Sequence, residues 1–362
     1  MLSHRLQRFD RWTLAFVLLS VGVVVGLLYY GRGMTFFFDE WSFIEARSAW
    51  TVDDLLKPHN EHWSLVPALI HKALINTFGL STYAPYQLVL LLLHATAAAA
   101  VFAIVRSDGG KVLGFLAGTL FLLFGKGDSS LIWAALIGWN AAVAAGGWAV
   151  ALAMVRPRSW WPAATAVLLL ISVASSAIGV GFGGAVVLIC LLRGDWRRLW
   201  VVAPAAAAFG TWFLLFGSRV LQVSVARDAD ITLLPHYLVT GFSNTVLAVS
   251  GWGADAAAPL AVLLVAATAA RALGPRPLRL SIVVGLVGSV GMLGLVLLGR
   301  TGMDIAVAGT ARYIYAAAFF VIVALAGWIA EMGFDERNRR ALIAVMALFV
   351  LALGTNLMSL RA

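Results

Sequence analysis

The chain has 362 residues, of which 62% are hydrophobic and 12% are charged, and its formal net charge is +9. Soluble globular proteins carry about 25% charged residues, so this composition excludes an ordinary soluble domain. Apolar runs of about 18 residues or more recur along the chain, and each can cross a hydrocarbon core of about 30 Å as a helix. The sequence therefore predicts an all-α, polytopic transmembrane helical bundle, a single domain over 1–362 with no soluble domain.

The apolar runs predict about eleven membrane spans, with charged or glycine-containing segments between most of them. In chain order the predicted spans are 13–30, 84–105, 111–125, 131–155, 160–176, 178–192, 199–217, 254–272, 280–299, 311–331 and 341–357. Segment 236–252 is interpreted as an external re-entrant or interfacial helix. A span there would move Arg271, Arg276 and Arg279 to the other side of the membrane.

The charges between the spans predict the orientation. With a cytoplasmic N-terminus, the cytoplasmic segments hold sixteen Lys and Arg and six acids, and the external segments hold ten and eleven. This asymmetry follows the positive-inside rule. The positive charge is therefore explained by membrane topology, and nucleic acid is not expected as a partner. We expect a multi-pass protein of a bacterial cytoplasmic membrane.

Three external loops follow from this topology, at 31–83, 218–253 and 300–310. The first is long and is expected to contain two amphipathic helices. Thr51 begins a pattern similar to a capping box, which indicates a short helix. Asn60 is the expected N-cap of a second helix that runs to residue 78 along the membrane interface.

Two adjacent acids, Asp39 and Glu40, follow the aromatic run 36–38 and precede Trp41. One carboxylate could act as a general base, and the other could hold a divalent cation or a sugar hydroxyl. Alternatively, Asp39 caps a short helix and Glu40 lies in its first turn. The flanking aromatic residues favour a functional role at the bilayer surface, where desolvation makes a carboxylate more basic.

A second polar cluster, His59-Asn60-Glu61-His62-Trp63, lies in the same loop. It could bind a sugar, a phosphate or a metal ion, with Glu40 and His62 as candidate metal ligands. Its spacing differs from the His-Glu-x-x-His pattern of zinc hydrolases. The alternative is that the cluster only begins the following helix, with Trp63 at the level of the lipid headgroups.

Arginines at the external ends of spans are candidates for binding a lipid-linked phosphate, which needs cationic donors at headgroup depth. They are Arg219, Arg227, Arg300 and Arg312. Arg312 is the strongest candidate because it lies beside Tyr313 at the mouth of an apolar span. Snorkelling or plain surface charge is the alternative for each.

Two polar residues, His94 and Asn140, lie inside predicted spans. Such residues often face a functional interior, although an interhelical hydrogen bond is the simpler explanation. The sequence has no Walker A motif, dinucleotide-binding glycine pattern or nucleophile elbow, so a soluble nucleotide cofactor is unsupported.

The order of these motifs resembles the GT-C superfamily of membrane glycosyltransferases, in particular its actinobacterial proteins. The likeness covers roughly 30–220 and 300–330. It rests on the acid pair, the His-Asn-Glu-His-Trp segment, Ile132-Trp133 through Gly138-Trp139-Asn140, Ser175-Ser176-Ala177-Ile178-Gly179, and Ala311-Arg312-Tyr313.

The resemblance implies an inverting enzyme that moves a sugar from a polyprenyl-phosphate donor to an envelope glycan, lipid or protein at the external face. It implies that Asp39 is the base or a metal-linked acid, with Glu40 adjacent, and that Arg312 and Arg219 hold the carrier phosphate. Mg or Mn is then a candidate cofactor. The lack of a C-terminal soluble domain permits a partner subunit. A flippase or transporter, or a non-catalytic subunit that binds carrier lipid, is the alternative.

Overall fold

A computed structural model describes residues 10–47, 49–156, 159–221, 229–252, 254–335 and 337–360. Within these residues the chain is helical and contains no β-strand. The first nine α-helices are α1 (Arg11–Tyr30), α2 (Trp41–Ile44), α3 (Val52–Leu56), α4 (Leu65–Phe78), α5 (Ala84–Gly109), α6 (Lys111–Leu122), α7 (Ser129–Ile132), α8 (Ile137–Val155) and α9 (Trp161–Ser175). They are followed by α10 (Gly179–Leu192), α11 (Ala203–Trp212), α12 (Ser218–Leu221), α13 (Leu234–Ser250), α14 (Ala257–Ala272), α15 (Leu280–Leu297), α16 (Ala311–Glu331) and α17 (Arg339–Ser359).

Seven helical stretches of the described chain are long and apolar enough to cross a membrane. They are Arg11–Tyr30, Ala84–Gly109, Ala134–Val155, Trp196–Gly217, Leu280–Arg300, Ala311–Glu331 and Arg339–Ser359. Each coincides with a predicted span. The other four predicted spans coincide with the shorter helices α6, α9, α10 and α14. The prediction of an all-helical chain is confirmed, and seven helical stretches have the length and composition of membrane spans. The count of eleven spans stays a prediction.

Local sequence sets where the long helices begin and end. Asp10 caps α1 by accepting hydrogen bonds from the amides of Trp12 (3.1 Å) and Thr13 (3.4 Å). Gly110 ends α5 with φ of 90°, a left-handed conformation that costs glycine little. Lys111 begins α6 directly after it, so the two helices form a tight hairpin.

Ion pairs gather five helix termini at one end of the bundle, which we call the basic end. They link Asp10 with Arg106 (2.6 Å), Asp108 with Arg279 (3.3 Å), and Glu331 with Arg271 (2.5 Å) and Arg279 (3.2 Å). All six residues belong to segments that the sequence analysis assigned to the cytoplasmic side. Their proximity supports the predicted alternation of the helices that carry them.

The first loop, 31–83, packs against the opposite end of the bundle, which we call the loop end. Gln87 at the start of α5 donates to the carbonyl of Leu27 near the end of α1 (3.1 Å). Within the loop, Thr51 caps α3 by accepting from the amide of Asp54 (3.2 Å), as predicted.

The expected cap of α4 at Asn60 is wrong, because α4 begins at Leu65. His59 and His62 instead exchange two backbone hydrogen bonds (3.1 and 3.0 Å) across a tight turn. Asn60 lies in that turn with φ of 51°, a left-handed conformation that asparagine tolerates better than most residues. The helix starts only after the turn, with Pro67 in its first turn.

The chain breaks into short helical pieces between the end of α6 and the start of α8. Two buried side chains bond carbonyl groups at this break, since Leu122 ends α6 and Ser130 lies in the one-turn helix α7. His94 donates through Nε2 to the carbonyl of Leu122 (2.9 Å) and accepts through Nδ1 from the Tyr315 hydroxyl (2.9 Å). Asn140 donates to the carbonyls of Ser130 (2.7 Å) and Leu90 (3.3 Å). Irregular backbone at this depth requires such partners because lipid offers none.

Helix α13 contacts the loop end of the bundle near both of its termini. The hydroxyl of Tyr237 donates to the carbonyl of Met303, in the segment between α15 and α16. The carbonyl of Ala248 accepts from Asn356, in the last turns of α17 (3.0 Å). These contacts favour the prediction that 236–252 does not cross the membrane.

We expect Asn140→Ala to lower the free energy of unfolding by about 1–2 kcal/mol, because the carbonyl of Ser130 loses its side-chain donor in an apolar interior. Denaturant unfolding in detergent measures the change. Asn76→Ala is the matched control, since Asn76 is exposed on α4. Equal stability of the two variants would contradict this role for Asn140.

Candidate functional site

A small polar cavity of about 60 Å³ lies at the loop end of the bundle. Its walls come from the first loop, α4, the start of α8, the turn between α9 and α10, and the start of α16. The lining residues are Asp39, Phe43, His59, Asn60, His62, Ser64, Pro67, Ala135, Leu136, Gly138, Trp139, Ser175, Ser176, Arg300, Arg312 and Tyr313. Residues from five predicted loops or span ends therefore meet in one place.

A second cavity of about 320 Å³ adjoins the polar one, and we call it the adjoining cavity. The two cavities share His62, Trp139, Arg300 and Tyr313. The remaining walls of the adjoining cavity are mostly aliphatic: Ala177, Ile178, Ala229, Leu295, Val296, Leu298 and Gly299, with Glu61 as the one further charged residue. Its volume lies within the range of small-molecule sites, and its surface suits hydrocarbon.

The two adjacent acids point into different surroundings. Asp39 lines the polar cavity, and its carboxylate makes no hydrogen bond or ion pair with another described residue. Glu40 is fully buried; it accepts from the Tyr83 hydroxyl (2.7 Å) and from the amide of Phe37 (2.8 Å). Burial raises the pKa of Glu40, and these two hydrogen bonds oppose the rise. Only Asp39 can therefore meet a ligand in the cavity.

The backbone is strained directly before these two acids. Phe38, directly before the acids, has φ of 52° and a side chain that is 77% exposed. A bulky residue in this left-handed region is a true outlier, and such residues gather at functional sites. Phe37 stacks on Trp133 at 5.3 Å between ring centroids, which holds the strained turn against the segment between α7 and α8.

Both histidines of the tight turn line the polar cavity, and both are neutral near pH 7. Burial lowers the pKa of His59, although the nearby Asp39 carboxylate opposes the shift. Burial lowers the pKa of His62 to about 4, against the opposing charge of Glu61. The His62 ring packs edge-on against Trp139 with the centroids 5.9 Å apart.

Arg300 connects the turn to the bundle. Its guanidinium donates to both carboxylate oxygens of Glu61 (2.9 and 3.3 Å) and to the Tyr313 hydroxyl (3.2 Å). Both charged side chains of this ion pair are only 14–15% exposed. Burial by itself would raise the pKa of Glu61, but the hydrogen bonds and charge of Arg300 outweigh this effect and hold the pKa below its ordinary value. Glu61 therefore remains ionised.

Arg312 lies beside the same phenol, with its guanidinium 3.4 Å from the Tyr313 hydroxyl and 5.1 Å from the ring centroid. Among the described residues it has no acidic partner within ion-pair distance. Within the described part of the chain its positive charge at the cavity is therefore unpaired, whereas Arg300 is neutralised by Glu61.

Close backbone packing brings α8 and the α9–α10 turn together at the cavity. A Cβ atom on Gly138 would lie 2.8 Å from Pro67 Cγ and 2.9 Å from the Ser175 carbonyl oxygen. Only glycine fits here, because neither the ring nor the backbone can move away cheaply. Trp139 and Ser176 line the cavity on either side of this contact.

Most of the residues predicted from the sequence meet at the two cavities: Asp39, His59, Asn60, Glu61, His62, Arg312 and Tyr313. Glu40 is buried away from them, and Trp63 is buried against Trp212 with the rings stacked at 5.8 Å. Trp63 is therefore not a headgroup-level residue. Arg219 is exposed and lines neither cavity, and Arg227 lies outside the described residues.

From the sequence, Arg300 was ranked below Arg312 as a phosphate ligand, and no binding role was predicted for Trp139 or Ser176. All three lie at the same ends of predicted spans as Arg312, and this position could have indicated that they belong to the site. Span ends alone could not show which side chains turn toward a common cavity, because that depends on the relative rotation of the helices.

The candidate metal ligands do not form a cation site. Within the described residues, no group of three or more His, Cys, Asp and Glu side chains lies close enough to hold a metal ion. Among the residues that the structure describes, Asp39 is the one carboxylate lining the polar cavity, since Glu40 is buried elsewhere and Glu61 is paired with Arg300.

No protein-family model matches the chain, and a search of curated proteins finds no significant match. The geometry of the two cavities must therefore carry any conclusion about function.

The depressed pKa of His62 gives an expected dependence of stability on pH. An unfolded histidine binds a proton near pH 6.5, whereas folded His62 does so only near pH 4. Its contribution to stability is therefore complete above pH 6.5 and is lost as the pH falls toward 4, by at most about 1.4 kcal/mol per pH unit. His62→Gln should flatten the measured slope of unfolding free energy between pH 7 and 5.

The matched control is His236→Gln, which removes an exposed imidazole on α13. It should leave the slope of the wild-type protein unchanged. A slope for His62→Gln that equals that of the control would contradict a buried, neutral His62.

Proposed function

We propose that this protein is a membrane glycosyltransferase of the GT-C class, which moves a sugar with inversion from a polyprenyl-phosphate donor to an envelope glycan, lipid or protein. One observation carries the proposal. Asp39 and Arg312, which form no ion pair with a described residue, line one small polar cavity next to a larger, mostly aliphatic cavity. That combination fits a substrate with a hydroxyl nucleophile, an anionic leaving group and a hydrocarbon chain.

Asp39 is the proposed general base. Its carboxylate takes the proton from an acceptor hydroxyl as that oxygen forms a bond to the anomeric carbon of the donor. The bond between the anomeric carbon and the phosphate oxygen breaks, and its electron pair leaves with the phosphate. A single displacement of this kind inverts the anomeric centre.

Arg312 is the proposed ligand of the donor phosphate, with the Tyr313 hydroxyl beside it. Charge on the phosphate increases as the sugar leaves, so a fixed cation stabilises the transition state more than the ground state. Arg300 supports the same region but shares its charge with Glu61. Arg312 is therefore the stronger electrostatic contributor.

The adjoining cavity is the proposed site of the first isoprene units of the lipid carrier. Its aliphatic walls come from α15 and the start of α10, and it opens beside Arg300 and Tyr313. A lipid phosphate at these residues would project its chain along Leu295 and Val296. A membrane-embedded donor also explains why the sequence needs no nucleotide-binding motif.

The predicted topology assigns this end of the bundle to the external face of a bacterial cytoplasmic membrane. The clustering of predicted cytoplasmic residues at the basic end supports the alternation of helices on which that orientation rests. The alternative of a flippase or transporter would require polar groups along a path through the bundle. His94 and Asn140 instead bind backbone carbonyls inside it, which favours an enzyme with a one-sided site.

Asp39→Asn should reduce sugar transfer by about 100-fold or more, because it removes the base while keeping shape and hydrogen-bonding capacity. Donor binding and thermal stability should stay near wild type. The assay follows product formation from a panel of polyprenyl-phosphate sugars with purified protein, with and without chelator.

Glu45→Gln is the control for this variant, since Glu45 is an exposed acid in the same loop. It should transfer sugar at the wild-type rate. Near-normal transfer by Asp39→Asn would remove Asp39 as the base. Retained function of a cellular complex after loss of both Asp39 and Glu40 would favour a non-catalytic subunit.

Arg312→Ala should lower kcat/KM by about 10–100-fold, because it removes a charge-assisted contact to the phosphate. Arg32→Ala, which removes an exposed arginine at the same end of the bundle, is the control. The steady-state kinetics of both variants test the assignment. Similar kcat/KM values for the two would contradict it.

A further inference from the structure

Three buried polar atoms at the two cavities have no hydrogen-bond partner in the described protein: Trp139 Nε1, Ser176 Oγ and His62 Nδ1. Trp139 is 6% exposed and Ser176 is 3% exposed, so water reaches neither side chain freely. All three residues line the polar cavity. An unpaired buried group is costly and rare in native proteins, and each one calls for an explanation.

The three groups belong to separate parts of the chain, so their convergence is a tertiary feature. His62 is in the first loop, Trp139 is in the first turn of α8, and Ser176 is between α9 and α10. The close contact at Gly138 holds the last two elements together. Such groups are retained when a ligand supplies the missing partners, because a site built to bond a hydroxyl rejects ligands that lack it.

The chemistry of the three groups matches a hydroxylated ring. The indole N–H can only donate, the serine hydroxyl can donate and accept, and neutral His62 can do either according to its tautomer. Aliphatic ligands would leave all three unpaired. The phosphate has its own proposed ligand in Arg312. The residue after it, Tyr313, packs against Trp139 with the ring centroids 6.0 Å apart.

We propose that Trp139, Ser176 and His62 bind hydroxyl groups of the sugar being transferred. This inference rests on the proposed glycosyl transfer. In a displacement, the transferred sugar lies between the acceptor oxygen and the leaving phosphate. His62 and Trp139 occupy that position, since they line both the cavity that contains Asp39 and the adjoining cavity. They therefore select for the sugar and not for its lipid carrier.

The test compares two ligands that differ only in the sugar. Wild-type protein in nanodiscs is titrated with farnesyl phosphate and with farnesyl-phosphate hexoses and pentoses, without acceptor, and the tightest sugar ligand is kept. Trp139→Phe removes the N–H but keeps an aromatic ring, and Ser176→Ala removes only the hydroxyl. Each should weaken the sugar ligand by about tenfold and change the affinity for farnesyl phosphate by less than twofold.

The chain offers matched controls. Trp133 Nε1 and Ser130 Oγ are also buried without a partner, but neither residue lines the two cavities. Trp133→Phe and Ser130→Ala make the same chemical changes elsewhere. Both should leave the affinities for both ligands unchanged.

Thermal stability separates binding from a structural role. Ser176→Ala removes a hydroxyl that bonds no described residue, so it should not lower Tm without ligand. Trp139→Phe also removes part of a buried ring, so it should lower Tm by no more than the control Trp133→Phe does. Equal weakening of both ligands, or unchanged binding of the sugar ligand, would overturn the inference and leave the proposed function standing. Failure of the wild-type protein to bind either ligand would overturn the proposed function as well.

Discussion

The ion pair between Glu61 and Arg300 is the contact on which the site depends. It joins the tight turn of the first loop to the end of α15, and its guanidinium also bonds the phenol of Tyr313 on α16. Both partners are largely buried, so loss of either would leave an uncompensated charge at a cost of about 3–5 kcal/mol. The pair thereby fixes the position of both histidines relative to Arg312.

Polar groups have different partners in the bundle and in the cavity. Inside the bundle, His94 and Asn140 donate to the carbonyls of Leu122 at the end of α6 and Ser130 in α7, where lipid offers no hydrogen-bond donor. In the cavity, Asp39 and Arg312 form no ion pair with a described residue, and three buried polar atoms have no partner in the described protein. These cavity groups are available to a ligand.

Much of the fold was predictable because bilayer thickness imposes a single strong pattern on the sequence. Every predicted span lies on a helix, and α3 begins at its predicted cap. The predicted helix cap at Asn60 is wrong because asparagine favours a left-handed turn as well as a helix start, and local sequence does not distinguish the two. The predicted position of Trp63 at the lipid headgroups is wrong because an indole can pack on another indole as readily as on headgroups.

The sequence by itself determined an all-helical membrane protein, its unequal distribution of charge, and a loop rich in acids and histidines. Those features follow from hydropathy and charge, which each segment carries independently of the others. Only the tertiary structure decided that Asp39 faces the cavity while Glu40 supports Tyr83, and that Arg300 and Trp139 belong to the site. Side-chain direction depends on how helices rotate against one another, and that rotation is set by packing contacts between residues distant in the chain.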